Sequence, residues 1–400
     1  MSTSLADPPP SPDVPPVVGE GENPLARLSP EQLEQLGREF DAIHDEVYAD
    51  LGDRDSRYIR STIKLHRHLV VGARLALLRS SKRPNWLLGT AALSVAKVLE
   101  NMEIGHNVMH GQWDWMNDPD INSQNWDWDT ASPADAWRHS HNYEHHTFTN
   151  IRGKDRDLGY EIMRIDPHQK WHPVYLLQPL YNLILMGFFE WGVAVHDLNR
   201  GAIHSGEKSK QQVVQELKAI GVKARDQIVK DYVAFPALSA LAALVSSRGS
   251  VSAARRSFAS TLSANFTANI VRNVWSYSII FCGHFPDQTY TFSQDEVADE
   301  SRGGFYVRQL LGAANIDGGP LFHLLAGNLS FQVEHHLFPD MPSSRYAEIA
   351  PRVRDICRRY GLPYNTGPLH KQLGTVHRTI LRLAFPGGKM RPKPGPYKPA

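Results

Sequence analysis

Beyond residue 60 the apolar residues gather into long runs separated by short polar connections. Trp171 to Phe189 and Tyr232 to Ser247 contain no Asp, Glu, Lys or Arg, while Trp86 to Ile104 and Phe258 to Cys282 are apolar apart from isolated groups such as Lys97, Glu100, Glu103, Asn269 and Arg272. Runs of this kind predict helices. They fall into pairs, residues 62–79 with 85–108 and 232–247 with 258–282, and each pair can fold as a hairpin that returns the chain to its starting face. The intervening span 172–196 is then expected to be a re-entrant or interfacial element. A helix that crosses a bilayer needs about 20 mostly apolar residues, and polar groups within such a helix face the protein interior or a site. Here they lead into His106 and His284. Long buried helices of a soluble protein would give the same pattern, so hydropathy alone leaves both readings open.

The flanks read differently. Residues 1–29 hold a Pro-rich, apolar-poor tract, ADPPPSPDVPPVV, expected to be disordered. It lacks the basic start and apolar run of a signal peptide, which leaves the chain on the cytosolic side. Ser29 and Gln32 frame a capping box with Pro30 at the first helical position, predicting a helix over 30–50. Residues 200–231, rich in Lys, Glu and Gln, predict a solvated amphipathic helix. The tail from 386, PGGKMRPKPGPYKPA, is basic and expected to be disordered. One domain, 30–385, lies between the two tails.

Composition narrows the function. Net charge is +1 with a pI near 7.9, which gives no electrostatic case for nucleic acid, and mean hydropathy is −0.38. No P-loop, no dinucleotide fingerprint and no Ser/His/Asp arrangement is present. Cys282 and Cys357 match no thiolate metal pattern and read as free thiols of a reducing compartment. Trp113, Trp115, Trp126, Trp128 and Trp137 are five of the nine tryptophans, and this concentration predicts an interfacial belt with some rings at the mouth of a substrate channel.

The chemistry lies in three histidine clusters: His106-Asn-Val-Met-His110, His141-Asn-Tyr-Glu-His145-His146 and Gln332-Val-Glu-His335-His336. Spacing of i,i+4 on a helix brings two imidazoles to one point. Seven imidazoles exceed what one zinc takes, so the count implies two metals, and imidazole suits Zn, Cu, Fe and Ni alike. A soluble di-iron bundle would need two Glu-x-x-His motifs, whereas the chain has one clean copy, Glu103-Ile-Gly-His106. Glu103, Glu144 and Glu334 are therefore expected to orient imidazoles by accepting their outward N–H groups.

HNVMHGQWDWMNDP, WRHSHNYEHHTFTNI and FQVEHHLFPDMPSSRY together resemble the histidine boxes of the membrane fatty acid desaturases, with the pattern HxxxH, HxxxHH and QxxHH. The likeness runs from about residue 60 to 375 and is greatest to the NADPH-dependent stearoyl-CoA Δ9 branch. VLENMEIGHNVMHGQWDWMNDP, KDYVAFPAL, VRNVWS and FCGHFPD share it. It implies an all-α integral membrane protein of several spans, whose cytosolic helical cap holds two irons. Family members hold these with eight or nine nitrogens, and His284 stands where the family places a lone extra histidine. The implied ligands are thus His106, His110, His141, His145, His146, His284, His335 and His336. Gln332 departs from the all-histidine third box and is a candidate weak or water-mediated ligand. His323 is expected to pack or hydrogen-bond nearby instead.

The implied reaction uses O2 and two electrons to place a cis double bond in a long-chain saturated acyl chain, with stearoyl- or palmitoyl-CoA and the Δ9 position expected. No flavin, nicotinamide or fused haem motif is present, so the electrons are expected from NADPH through a separate flavin and iron–sulfur oxidoreductase or a ferredoxin. A hydroxylase on the same scaffold would differ in its product, an alcohol rather than an alkene. A non-enzymatic histidine-rich metal carrier would need neither an apolar channel nor O2.

Overall fold

The computed structural model describes residues 24–397. The expectation of disorder over 1–29 lies outside them up to residue 23; Pro24–Arg27 form a single 3₁₀ turn. Helix α1, Pro30–Ala49, opens with the capping box read from the sequence: Gln32 N donates to Ser29 Oγ at 3.2 Å and Ser29 N to Gln32 Oε1 at 2.9 Å. Its buried stripe, Leu36, Phe40 and Ile43, enters a core shared with Tyr306, Phe338 and Tyr346.

Helices α2, Asp53–Leu77, and α3, Arg83–Leu99, form the first hairpin. Gly89 makes their close approach possible, since a Cβ there would lie 2.6 Å from Leu77 Cγ. Two short helices follow the second histidine cluster, α4, Gln178–Gly187, and α5, Phe189–His196. At 1.5 Å per residue they are roughly 15 and 12 Å long, each too short by itself to cross a ~30 Å hydrocarbon layer. Helix α6, Lys210–Ile228, lies within the stretch 200–231 expected as a solvated amphipathic helix and is largely exposed, burying Gln227. It runs through a widened turn at Val229–Ala234 into α7, Phe235–Ser246, and this stretch, Lys210–Ser246, is the single one among the described residues long and apolar enough to cross a membrane. Its partner in the second hairpin is α8, Val251–His284, about 50 Å long.

Four further helices follow: α9, Arg302–Gly312, packs on α1 and on α10, Gln332–Leu337; α10 packs on α11, Tyr346–Arg359; and α12, Leu369–Leu383, packs on α8 and α4. The fold is helical, with one addition: β1, Asn315–Asp317, pairs in parallel with β2, Thr366–Pro368, Asn315 opposite Thr366. The tail differs from expectation over residues 386–397. Arg391 pairs with the buried Asp287 at 2.5 Å, Lys393 Nζ donates to the carbonyls of Asp287 and Thr289, and Tyr397 N donates to Leu362 O at 2.9 Å.

Exposure is polarised. Large apolar side chains lie bare along α2 and α3 (Leu75, Leu88), α4 (Leu180, Leu183), α7 (Leu241, Val245) and α8 (Phe266). The far ends of α3 and α8, by contrast, are enclosed in a core built around Tyr277 and Phe281, and a second core around Tyr306 and Phe338 gathers α1, α9, α10 and α11. The tryptophans are not a belt. Trp113, Trp128 and Trp137 are buried in small cores against the first two histidine clusters, which satisfies apolar ring area that an interface would leave half wet.

Candidate metal centre

The first histidine cluster begins on the last residue of a widened π turn, Glu100–His106, and runs through a short α turn to His110, while His141 and His145 of the second lie on a π turn, Arg138–His145, with His146 just past it. In the second, His146 N donates to His141 O, five residues back. This i→i+5 bonding brings positions four and five apart onto one side, so His141, His145 and His146 face the same space, which a regular turn would not allow. The third cluster sits on α10 and its doublet diverges, the His335 and His336 rings lying at 87° to each other. His284 caps the end of α8.

All eight predicted histidines come together from these four elements, in two sets. Ligand nitrogens of His106, His110, His141 and His335 lie within 4.8 Å of one another, as do those of His145, His284 and His336. His146 stands between the sets, stacked on His336 at 4.5 Å and edge-on to His110 at 4.7 Å. His106 Nε2 and His335 Nε2 face each other at 3.4 Å.

A histidine core held by hydrogen bonds would use both nitrogens of each ring, and these rings do not. One side is anchored: His145 Nδ1 to Asp155 at 3.1 and 3.2 Å, His335 Nδ1 to Tyr346 Oη at 3.1 Å, His336 Nδ1 to Gln309 Oε1 at 3.0 Å, and His141 Nδ1 to Asp157 at 3.5 Å. The other side is bare, for Nε2 of His110, His141, His145, His146 and His336 is buried without a partner. Burial first, then the charge that neighbouring imidazoles would carry, holds His106, His110, His146, His284, His335 and His336 well below the ordinary histidine range; burial also lowers His141. At His145 burial would act the same way, but the carboxylates of Asp155 and Asp157 outweigh it and push the ring up to about 8. Buried imidazoles whose Nε2 atoms are bare at His110, His141, His145, His146 and His336, with Nδ1 held at His141, His145 and His336, form a donor set suited to two imidazole-bound cations.

Gln332 lies against His284, Nε2 to Nε2 at 3.1 Å, with Oε1 unpartnered. Gly283 makes the room, since a Cβ there would come within 2.8 Å of the Gln332 side chain. The three glutamates expected to orient rings do something else. Glu103 accepts from Tyr58, Asn328 and Ser343, and Glu334 from Tyr364 and Asn315, so both tie helices together behind the rings. Glu144 pairs with Arg156 and His139. The orienting role falls instead to Asp155, Asp157, Tyr346 and Gln309. Asp155-Arg-Asp157, nine to eleven residues past the second cluster, was the available signal; Tyr346 and Gln309 had none. His323 lies apart, bonded to Ser330 Oγ at 2.7 Å and stacked on Phe331.

A cleft of about 660 Å³, counted to its mouth, opens onto His106 and His141 between Trp137, Met102, Phe189 and Ile280. Trp137 stacks on His141 at 4.5 Å.

Comparison with known proteins agrees with this arrangement. The family profile described as fatty acid desaturase matches residues 84–368. The NADPH-dependent stearoyl-CoA 9-desaturase of Mycobacterium tuberculosis is 46% identical over 367 residues, covering 92% of this chain and 83% of that protein. The sn-1 linoleoyl-lipid 6-desaturase of Synechocystis is 25% identical over 72% of this chain and 77% of its own. Fatty acid desaturase 3 of Homo sapiens is 29% identical over 28% of this chain and 23% of its own. No solved structure matches. The matched profile contains all three histidine clusters and His284, the nearly full-length likeness extends past it on both sides, and the chain belongs to the fatty acid desaturase family.

Proposed function

We propose that the chain is a membrane-embedded, O2-dependent acyl desaturase in which His106, His110, His141 and His335 hold one iron and His145, His284 and His336 the other, with His146 between them. The observation that carries this is the orientation of the rings: at His141, His145 and His336 the outward nitrogen is anchored and the inward one buried and bare, and both nitrogens of His146 are bare between the sets. Bound iron supplies the means to spend O2 and two electrons on removing two hydrogens from adjacent unactivated methylenes, with two protons completing two waters. The protein's own residues position and exclude. Asp155, Asp157, Tyr346 and Gln309 fix ring tautomer and direction. Trp137, Met102, Phe189 and Ile280 give an apolar chain a water-free path past His106 and His141. Gln332, with its free oxygen beside His284, completes the second set directly or through a water.

The likeness to the stearoyl-CoA 9-desaturase supports a long-chain saturated acyl-CoA as substrate and a Δ9 cis product. It likewise supports electrons drawn from NADPH through a separate flavin and iron–sulfur oxidoreductase or a ferredoxin. Residues 30–385 form the desaturase domain. The bare apolar helices support embedding with more than one crossing and with the histidine end on the cytosolic face. The test is a fatty acid profile with double-bond location from cells that express the chain with a matched reductase and are fed saturated acyl chains. New monoenes at one position are expected; hydroxy acids in their place would reassign the chemistry.

A further inference from the structure

The cleft at the candidate metal centre has a polar floor. Three elements run along it away from the histidines and act as rulers. From His106 back to Asn101 the chain retreats along the widened turn. From His196 back to Glu190 it retreats roughly 9 Å along α5, and from His284 back to Asn273 roughly 16 Å along α8. Asn101, Glu190 and Asn273 all line the cleft, five, six and eleven residues back along these elements.

Behind them the polar groups of three helices engage one another. Glu190 forms an ion pair with Arg272 and accepts from Gln227 Nε2 at 2.7 Å. Arg272 is 1% exposed and also donates to Asp129 O at 2.9 Å and to Asn273 Oδ1 at 3.2 Å. Asn273 Nδ2 donates to Gly187 O at 3.0 Å, and Ser276 Oγ to Asn101 Oδ1 at 2.7 Å. The floor therefore joins α5, α6 and α8 through one buried ion pair with its hydrogen bonds met.

Such a floor behaves unlike one of Leu or Met, which yields by changing rotamer. A methyl group pressed into Glu190–Arg272 would separate a pair of desolvated charges and strain the hydrogen bonds that hold each in place. We infer that the Glu190–Arg272 pair, buttressed by Gln227 and Asn273, is the stop against which the methyl end of the acyl chain rests, and that it sets the longest chain the enzyme accepts. The inference rests on the desaturase reading of the site. Chain-length limit and double-bond position are then set at opposite ends of the substrate, the first by this floor and the second by the distance of the thioester from the rings.

The test uses the full-length protein in membranes with its reductase and a graded series of saturated acyl-CoAs differing by two carbons. Wild type is expected to lose about tenfold or more in kcat/KM at one step of the series. The double variant Glu190→Gln/Arg272→Met removes both charges together. It is expected to move that step to a longer chain, mainly through KM, while its product keeps the double bond at the same distance from the thioester. Asn273→Ala leaves the ion pair in place and guards against loss of folding in the double variant; it is expected to admit one further two-carbon unit. An unchanged step in Asn273→Ala, or in a double variant that retains wild-type metal content, overturns the inference. A shifted double bond overturns it too, because the floor would then be setting register. Wild-type protein that makes no alkene from any chain sinks the desaturase reading, and the floor with it.

Discussion

At each imidazole the outward nitrogen decides what the inward one can do. For His145 the partner is Asp155, which also accepts from the backbone N–H groups of Asn150 and Asp157 and is thereby fixed in place. Asp155→Ala frees the ring to rotate, and iron affinity is expected to fall about 10- to 100-fold, measured by competition with a chelator. His145→Ala or His336→Ala removes a nitrogen outright. Bound iron and turnover are expected to be lost while the protein still inserts and folds, and full activity in either variant would refute the ligand assignment. Farther out, His44 pairs with Asp340 at 3.3 Å and joins α1 to the loop after the third histidine cluster. The Asp340 carboxylate raises His44 against a smaller opposing effect of burial. Because the folded value lies above the unfolded one, this stabilisation is complete below the ordinary histidine range and is lost as pH rises through the folded value. Thermal stability is expected to fall slightly across that window, by under about 1 kcal/mol for so exposed a pair, and His44→Gln to flatten the fall.

At the scale of elements, the clearest departure from the expected geometry is the pair of π turns. The spacing of the histidines was legible in the sequence, since HxxxH places two rings together on either kind of helix, but the second ring of HxxxHH needed the extra residue per turn. A π turn depends on which backbone carbonyl is free to accept and leaves no residue-type signature, so it could not be read in advance. The capping box of α1 was legible because Ser29, Pro30 and Gln32 carry it within four positions. The continuity of α6 with α7 was not, since Val229–Ala234 keeps the helix going through the very change of composition that suggested a boundary. Gly283 tests the packing between α8 and α10. A Cβ there meets Gln332, so Gly283→Ala is expected to displace that amide and destabilise the protein by about 1–3 kcal/mol, with the spectroscopic signature of the second iron altered more than the first.

Over the whole molecule, the division into bare and enclosed halves explains what the sequence did and did not disclose. Lys97, Glu100 and Arg272 interrupt apolar runs, which blurred the hydropathy signal. In the structure Lys97 meets Asp231 at 2.9 Å and Asp129 at 3.2 Å, and Arg272 meets Glu190, so each of these two interruptions is answered from another helix or loop. No local pattern could announce pairs that lie far apart in sequence. The bare half predicts that detergent removal without lipid precipitates the protein, whereas transfer to phospholipid vesicles keeps it monodisperse by light scattering. The tail bound at Asp287 matters for the order in which the molecule can be finished. A growing chain emerges N-terminus first, so His284 and the turn behind it are made well before Arg391 and Lys393. Until then Asp287 lacks that guanidinium and the turn lacks its strap, which makes the His284 corner the last region of the site to lock during synthesis and leaves the nascent protein open to metal on that side.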